Sequence, residues 1–344
     1  MPLYVGIFFE KMLQITYLIT INQFYFIMTN IKSKFLKIIA GSFLFSLALI
    51  SCKKDDNNSG SGNTEFKVTD APIDDASVSG AFVTIADIKL DGVSVQGFTK
   101  TTVDLAAYQN GSTKTIGNFN LEGRTYNSVT FVLDHNMDAS GNTPGCYILT
   151  TNGTKHALQA ASDSIVIAKS FDINSSVSNS IVADFDLRKM IIRQTGNASD
   201  QYDFATNAEL QTSVRIVAET KTGIVSGMIS DAVSNSTKVV AYAYKVGTYN
   251  RITEMQAQGA SGIQFKNAVA SSTVNASGQF SFHFLEAGNY EIHFASYKDT
   301  NADGQLELVG TLIVLPSVGS DFLNLVLGVN ATVSLQGSVT GVLN

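Results

Sequence analysis

The 344-residue chain has no tryptophan, two cysteines, four prolines and four histidines. Two cysteines are too few for a disulfide framework, and the missing tryptophan weakens a carbohydrate-binding reading. Charge is sparse: 23 Lys and Arg against 29 Asp and Glu leave a net −6 with no basic cluster, so nucleic acid is excluded as a partner. No Gly-x-Ser-x-Gly elbow, His-Glu-x-x-His helix, Cys-x-x-Cys pair or P-loop glycine-lysine run occurs. His135 and His156 stand alone and read as surface or turn residues. The sequence therefore reads as non-enzymatic. A carbohydrate-active hydrolase is the alternative, because that chemistry needs only a pair of carboxylates.

No long segment keeps a 3.6-residue apolar period either. What is present is short alternating runs between Gly, Asn, Asp and Ser, the pattern of half-buried strands. Ala81 to Leu90 is one, with Phe82, Ala86 and Ile88 expected on a common face. Val129 to Leu133, Ser164 to Ile173, Ser180 to Leu187 and Gln211 to Glu219 are others, and Asn152-Gly153 joins Tyr147–Thr151 to Thr154–Leu158 as a hairpin. The pattern restarts at Gly223–Ile229 and Lys238–Tyr244. Phe280, Phe282 and Phe284 are then expected on one face, toward the core also met by Tyr290, Ile292 and Phe294. Asp321–Leu327 and Thr332–Val339 close the chain. The expected fold is all-β: two consecutive antiparallel β-sandwich domains, over 65–221 and 222–344.

Ahead of them, Lys32, Lys34 and Lys37 precede an apolar run from Ile38 to Ile50, a charged region followed by a core of secretory length. Met28 begins a complete signal of this kind, so 28–51 is read as a signal peptide and 1–27 as an upstream start extension; the alternative for 1–27 is an amphipathic or membrane-inserted helix. Leu49-Ile50-Ser51-Cys52 resembles a bacterial lipobox. That resemblance implies cleavage before Cys52, a diacylglyceryl and acyl anchor on its thiol, and no intramolecular partner for Cys146, which then reads as a small buried hydrophobe. Residues 52–64 follow as a polar, Gly/Ser/Asn-rich tether. Lys54-Asp55-Asp56 resembles the lysine-then-acidic signal that sends lipoproteins of Bacteroidetes-type bacteria to the outer face of the outer membrane; the periplasmic face is the alternative.

Val68-Thr69-Asp70-Ala71-Pro72 with Phe82–Ile85, then Val103-Asp104-Leu105, Arg124 to Leu133, Asp184-Phe185-Asp186 and Ser213–Ile216, resemble the successive blocks of the bacterial domain of unknown function 4382. The resemblance covers about 65–220 and implies an exported lipoprotein, with no activity attached. Gly278-Gln279-Phe280-Ser281-Phe282 with Leu285, Gly288 and Tyr290 resembles transthyretin-like or carboxypeptidase regulatory-like sandwich domains, which implies a non-catalytic module.

Four groups of residues are candidates for chemistry. Asp299, Asn301, Asp303, Gln305 and Glu307 space oxygen donors as in the first half of an EF-hand loop, with Gly304 at the sixth position; Gly310 stands where the bidentate Glu belongs, so calcium would bind in roughly the 10⁻⁴ to 10⁻³ M range. The competing reading is an Asp/Asn/Gly turn. Asp70 reads as a turn residue bonding its own downstream N–H groups, or else as one of a cation-binding set with Asp74, Asp75, Asp184 and Asp186. Asp163-Ser164-Ile165 resembles the O-glycosylation acceptor of Bacteroidetes-type bacteria, placing a glycan on Ser164. His283 and His293 stand opposite one another, as two ligands that by themselves do not complete a zinc site, if their strands form a hairpin; an arch between sheets keeps them apart, and an exposed aromatic pair is the competing reading. Exposed tyrosines among Tyr242, Tyr244, Tyr249 and Tyr297 would suit binding of an unidentified envelope protein or glycan, or they pack against the sheet. The function expected is a surface interaction or structural module anchored to the membrane by lipid.

Overall fold

The computed structural model describes residues 60–71, 75–194, 201–231, 236, 238–300 and 306–344. The start extension, the signal peptide, Cys52 and most of the tether lie outside the described residues, as do Asp74, Asn301, Asp303 and Gln305. Ser59–Asn344 forms one compact unit. Its first part contains β1 (Ser61–Ala71), β2 (Val78–Leu90), β3 (Val93–Ser94), β4 (Thr101–Asp104), β5 (Lys114–Glu122), β6 (Thr125–Leu133), β7 (Tyr147–Thr150), β8 (Lys155–Ala157), β9 (Ser164–Asp172), β10 (Asn179–Asp186), the short helix α1 (Leu187–Met190), β11 (Ile191–Gln194), β12 (Gln201–Phe204), α2 (Asn207–Thr212) and β13 (Val214–Ala218). Its second part contains β14 (Thr222–Ser230), β15 (Lys238–Lys245), α3 (Arg251–Glu254), β16 (Ala270–Val274), β17 (Gln279–Glu286), β18 (Gly288–Lys298), β19 (Glu307–Pro316), β20 (Leu325–Leu327) and β21 (Thr332–Leu343).

The chain is all-β in a sandwich-like arrangement. In the first part the order β13-β10-β1-β5 makes one sheet, and β8-β7-β2-β6-β9 makes another. Alternate residues of both supply a shared core in which the rings of Phe131 and Phe185 meet at 5.3 Å. Each side chain of that size, fully removed from water, contributes about 1.5–3 kcal/mol. In the second part the order β16-β15-β18-β19-β21-β14-β17 forms one sheet curved around its own core. Among the described strands, pairing is antiparallel except for β1 with β10 and β14 with β21.

Several expectations need correction. Ser61 to Thr64, read as the end of the tether, already pair with Asn120–Glu122 and Phe119 of β5, and Thr64 is buried. On β2 the core-facing set is Ala81, Val83 and Ile85, then Ile88 and Leu90. The register slips between Ile85 and Asp87, so a bulge at Ala86 inverts the alternation; Phe82 lies on the other face, stacked on Tyr147 at 4.6 Å. Phe280 and Phe282 enter the second core with Tyr290, Ile292 and Phe294 as expected. Phe284 does not. Its φ of 54° breaks the alternation, and Leu285 takes the core position.

Tyr242, Tyr244 and Tyr297 are buried rather than exposed. Val239, Ala241 and Ala243 of β15 face the second core, while Val240, Tyr242 and Tyr244 face a flap of residues 249–268 that covers the opposite side. The flap seats Phe265 flat on Tyr242 at 4.3 Å, and Glu254 accepts the Tyr244 hydroxyl at 2.8 Å. Burial on both faces explains the unbroken Val-Val-Ala-Tyr-Ala-Tyr run.

Candidate functional site

Buried charge collects where the two cores meet. On β10, Asp184 and Asp186 flank the inward Phe185 and so share the face turned from that core. Arg215 of β13 stands directly opposite Asp184 in the antiparallel register and pairs with it, while its other nitrogen donates to the Phe284 carbonyl at 3.2 Å. Asp186 accepts from Arg188 at 2.9 Å and lies 3.3 Å from Lys189. Arg188 then reaches the flap, donating to the Gln264 carbonyl at 2.6 Å and the Phe265 carbonyl at 3.2 Å; Lys189 donates to the Ala268 carbonyl at 2.5 Å. Burial pulls the Lys189 ammonium below the usual lysine range, opposed by Asp186.

Glu209 of α2 makes the second link. It accepts the Thr206 hydroxyl at 2.6 Å at the start of its own helix, the Ser261 hydroxyl, and Lys266 at 3.3 Å. Burial alone would raise this carboxyl, but the Ser261 and Thr206 hydroxyls and Lys266 outweigh it and hold it down at about 2. A third, more exposed link joins Lys169 to Glu286 at 2.7 Å.

Asp70 sits behind this network on β1, 5 % exposed. It is no turn residue: one oxygen accepts from the Leu187 N–H at 3.3 Å, and the other, Oδ2, is buried without a hydrogen bond. Burial, reinforced by Asp184 and Asp186, pushes its carboxyl well above the usual range. Asp70, Asp184, Ser271 and His283 line a cavity of about 30 Å³, room for about one water molecule. Of the acids read as a candidate cation-binding set, Asp70, Asp184 and Asp186 lie near one another, but Asp184 and Asp186 are engaged by Arg215, Arg188 and Lys189 rather than arranged as a set of cation ligands. Asp75 is elsewhere, tied to Arg193 at 3.2 Å and to the Tyr202 hydroxyl at 2.8 Å.

The other candidates fall apart from this junction and from one another. Glu307 accepts both the Thr300 N–H at 2.8 Å and the Thr300 hydroxyl at 2.9 Å, and Asp299, next to Thr300 in sequence, is half-buried. Among the described residues no group of three His, Cys, Asp or Glu is placed to hold a metal ion. Ser164 opens the edge strand β9, half-buried and paired with Val132. His283 and His293 do not meet, since β17 pairs with β14 and β18 pairs with β15: their connection is an arch. His293 stacks on Tyr249 at 3.6 Å, while His283 bonds Ser281 at 3.1 Å, and burial lowers both pKa values. His135 is buried against Phe204 at 5.6 Å, not at the surface. Cys146 is a free, buried thiol pushed up to about 11 by burial.

Sequence reasoning missed Arg188, Lys189, Glu209 and Arg215. Two had a signal in principle: Thr206-x-x-Glu209 has the spacing of a capping box, which forms at the start of α2, and Arg215 stands opposite Asp184, a placement that only the β10–β13 register makes readable.

The molecule is thus an all-β chain whose two parts are joined through hydrogen bonds from Arg188, Lys189 and Arg215 to backbone carbonyls and through the Glu209–Lys266 pair. Residues 61–205 match the family model described as "Domain of unknown function (DUF4382)". The match stops at Ala205, whereas the first core also takes in Leu210, Val214 and Ile216. No curated protein matches the chain. Among solved structures, the Bacillus anthracis TIE protein is 11% identical, with 81% of this chain and 34% of that one covered at a TM-score of 0.18. A leucine-rich repeat protein from Bacteroides thetaiotaomicron is 13% identical, with 82% and 27% covered at 0.19. BcpA, the major pilin subunit of Bacillus cereus, is 9% identical, with 81% and 71% covered at 0.19. The chain spans about a third of the first and about a quarter of the second, and overlap this slight carries no argument about function.

Proposed function

We propose that the chain is a non-catalytic interaction or structural module of a bacterial cell envelope, exported and held by acyl chains on Cys52 at the outer membrane, its body facing outward. On this reading 222–344 is a transthyretin-like or carboxypeptidase regulatory-like sandwich that rides on the first part. The observation that supports it is how the junction uses its charges. Arg188, Lys189, Arg215 and Glu209 are each engaged with backbone or side chains of the second part, so these ionisable groups join two bodies.

Asp70 and Asp184 are the pair that favours the hydrolase alternative, because a raised carboxyl beside an ion-paired one is the asymmetry acid–base chemistry needs. Their cavity of about 30 Å³ admits a water and no sugar ring, so the structural reading is preferred. Metabolic labelling with palmitate tests the anchor. Label should enter the wild-type chain and not Cys52→Ser, which should leave the membrane fraction; unlabelled wild type, or unchanged fractionation of the variant, contradicts the proposal. Capture of envelope components by the immobilised mature chain tests the interaction role.

A further inference from the structure

The solvent face of β17-β14-β21 carries neutral hydrogen-bonding groups in register. Ser281, Ser226 and Ser334 stand side by side across the three strands, and one step along, Gln279, Met228 and Gln336 do the same. Adjacent strands lie about 4.8 Å apart and same-face residues about 6.8 Å apart. The two rungs therefore form a flat grid of hydroxyls and amides around one exposed thioether.

The grid is the floor of a concavity of about 560 Å³. Thr273 and Asn275 wall one side. Asn110, from the first part, closes another: Asn110 and Gly111 both have positive φ, 53° and 84°, and the turn they make sits hard against His283. A Cβ at Gly111 would lie 2.5 Å from His283 Nδ1, so the wall is fixed by close packing. No lining side chain is ionisable, in a chain with 52 Lys, Arg, Asp and Glu, from 23 + 29.

We propose that this concavity binds a neutral polyhydroxylated ligand, a short oligosaccharide without carboxylate or sulfate groups. Hydroxyls and amides both donate and accept, as sugar hydroxyls do, whereas an anionic ligand would enter with no cation to receive it. Met228 supplies the polarizable apolar surface that the C–H face of a sugar ring covers. The inference rests on the interaction role proposed above and gives it a site and a ligand class.

The test uses the mature protein and four probes: maltotetraose, cellotetraose, mannotetraose and, as the charged counterpart, tetragalacturonate. Binding is read by saturation-transfer NMR and calorimetry at up to about 10 mM sugar, which reaches the weak end of specific affinity. At least one neutral probe should bind. Ser226→Arg, which fills the floor, should weaken it by about tenfold or more, and the paired Gln279→Ala and Gln336→Ala, which remove amides without adding bulk, by about fivefold. Val93→Arg, an exposed position on β3 outside the grid, should leave it unchanged, and thermal melts of each variant exclude misfolding. Binding of tetragalacturonate alone, of no neutral probe, or of a neutral probe equally by wild type and Ser226→Arg overturns the inference. Capture of an envelope protein that survives Ser226→Arg would, alongside such a result, discard the sugar site and leave the interaction role standing.

Discussion

Asp70 is the residue most out of step with its surroundings, and its effect has a definite sign. Its native carboxyl titrates above the unfolded one because of burial and the neighbouring Asp184 and Asp186, so its contribution is most favourable below about pH 4 and declines as pH rises. In that window a single such site costs about 1.4 kcal/mol per pH unit. Asp70→Asn keeps an acceptor for the Leu187 N–H and places an amide donor in the cavity, so urea melts should show it more stable than wild type at pH 8, with the advantage shrinking toward pH 4. Glu209 has the opposite sign. Its carboxyl is held down at about 2, so its contribution is present above about 4.5 and is lost as pH falls toward 2. Glu209→Gln should destabilise at pH 7 by roughly 1.5–3 kcal/mol, the range for hydrogen bonds to a charged group, and by much less at pH 3. Asp70 was not legible beforehand as what it is, and Glu209 had only a local signal, the Thr206-x-x-Glu209 capping-box spacing, which does not reach its partners on the flap. Asp70 precedes Ala71-Pro72 and so reads as a turn residue, and its actual partner, Leu187, is 117 positions away.

Strand alternation carried most of the elements. β2, β6, β9, β10, β14, β15, β17 and β18 fall on runs visible in the sequence, and Asn152-Gly153 does join β7 to β8, with Gly153 at a φ of 84°. Faces were less legible, because one inserted residue reverses them. The bulge at Ala86 and the positive φ of Phe284 each displaced an aromatic from an expected core position, and neither is marked by Gly or Pro. The flap over β15 was invisible for another reason: residues 249–268 have no periodicity, and their place depends on Arg188 and Lys189 from the other part. Arg188→Ala removes one of the two cations beside Asp186 and the donor of the Gln264 and Phe265 carbonyls, so it should destabilise by roughly 3–5 kcal/mol. Limited proteolysis should then cut within 249–268 well before global unfolding; a flap as resistant as in wild type would contradict the assignment. In the candidate calcium segment Glu307 is already engaged by Thr300. If calcium occupies it, calorimetry at millimolar calcium should show heat that Asp299→Ala abolishes, and no heat would reduce it to a turn.

The two parts keep separate cores and sheets, yet the links between them are largely buried, which separates this arrangement from modules on a passive linker. Surface pairs such as Lys169–Glu286 contribute about 0–1 kcal/mol; the coupling must come from Arg188, Lys189 and Arg215, which donate to carbonyls of the second part, and from Glu209, which accepts from Ser261 and Lys266 there. The sequence announced two sandwiches and left their connection blank, because these links cross between strands and loops whose proximity only the folded chain creates. The most direct measurement is scanning calorimetry of the mature chain beside the double variant Arg188→Ala, Arg215→Ala. The account predicts one cooperative transition for the wild type and two resolved transitions for the variant; two transitions in the wild type, or one unshifted transition in both, would contradict it.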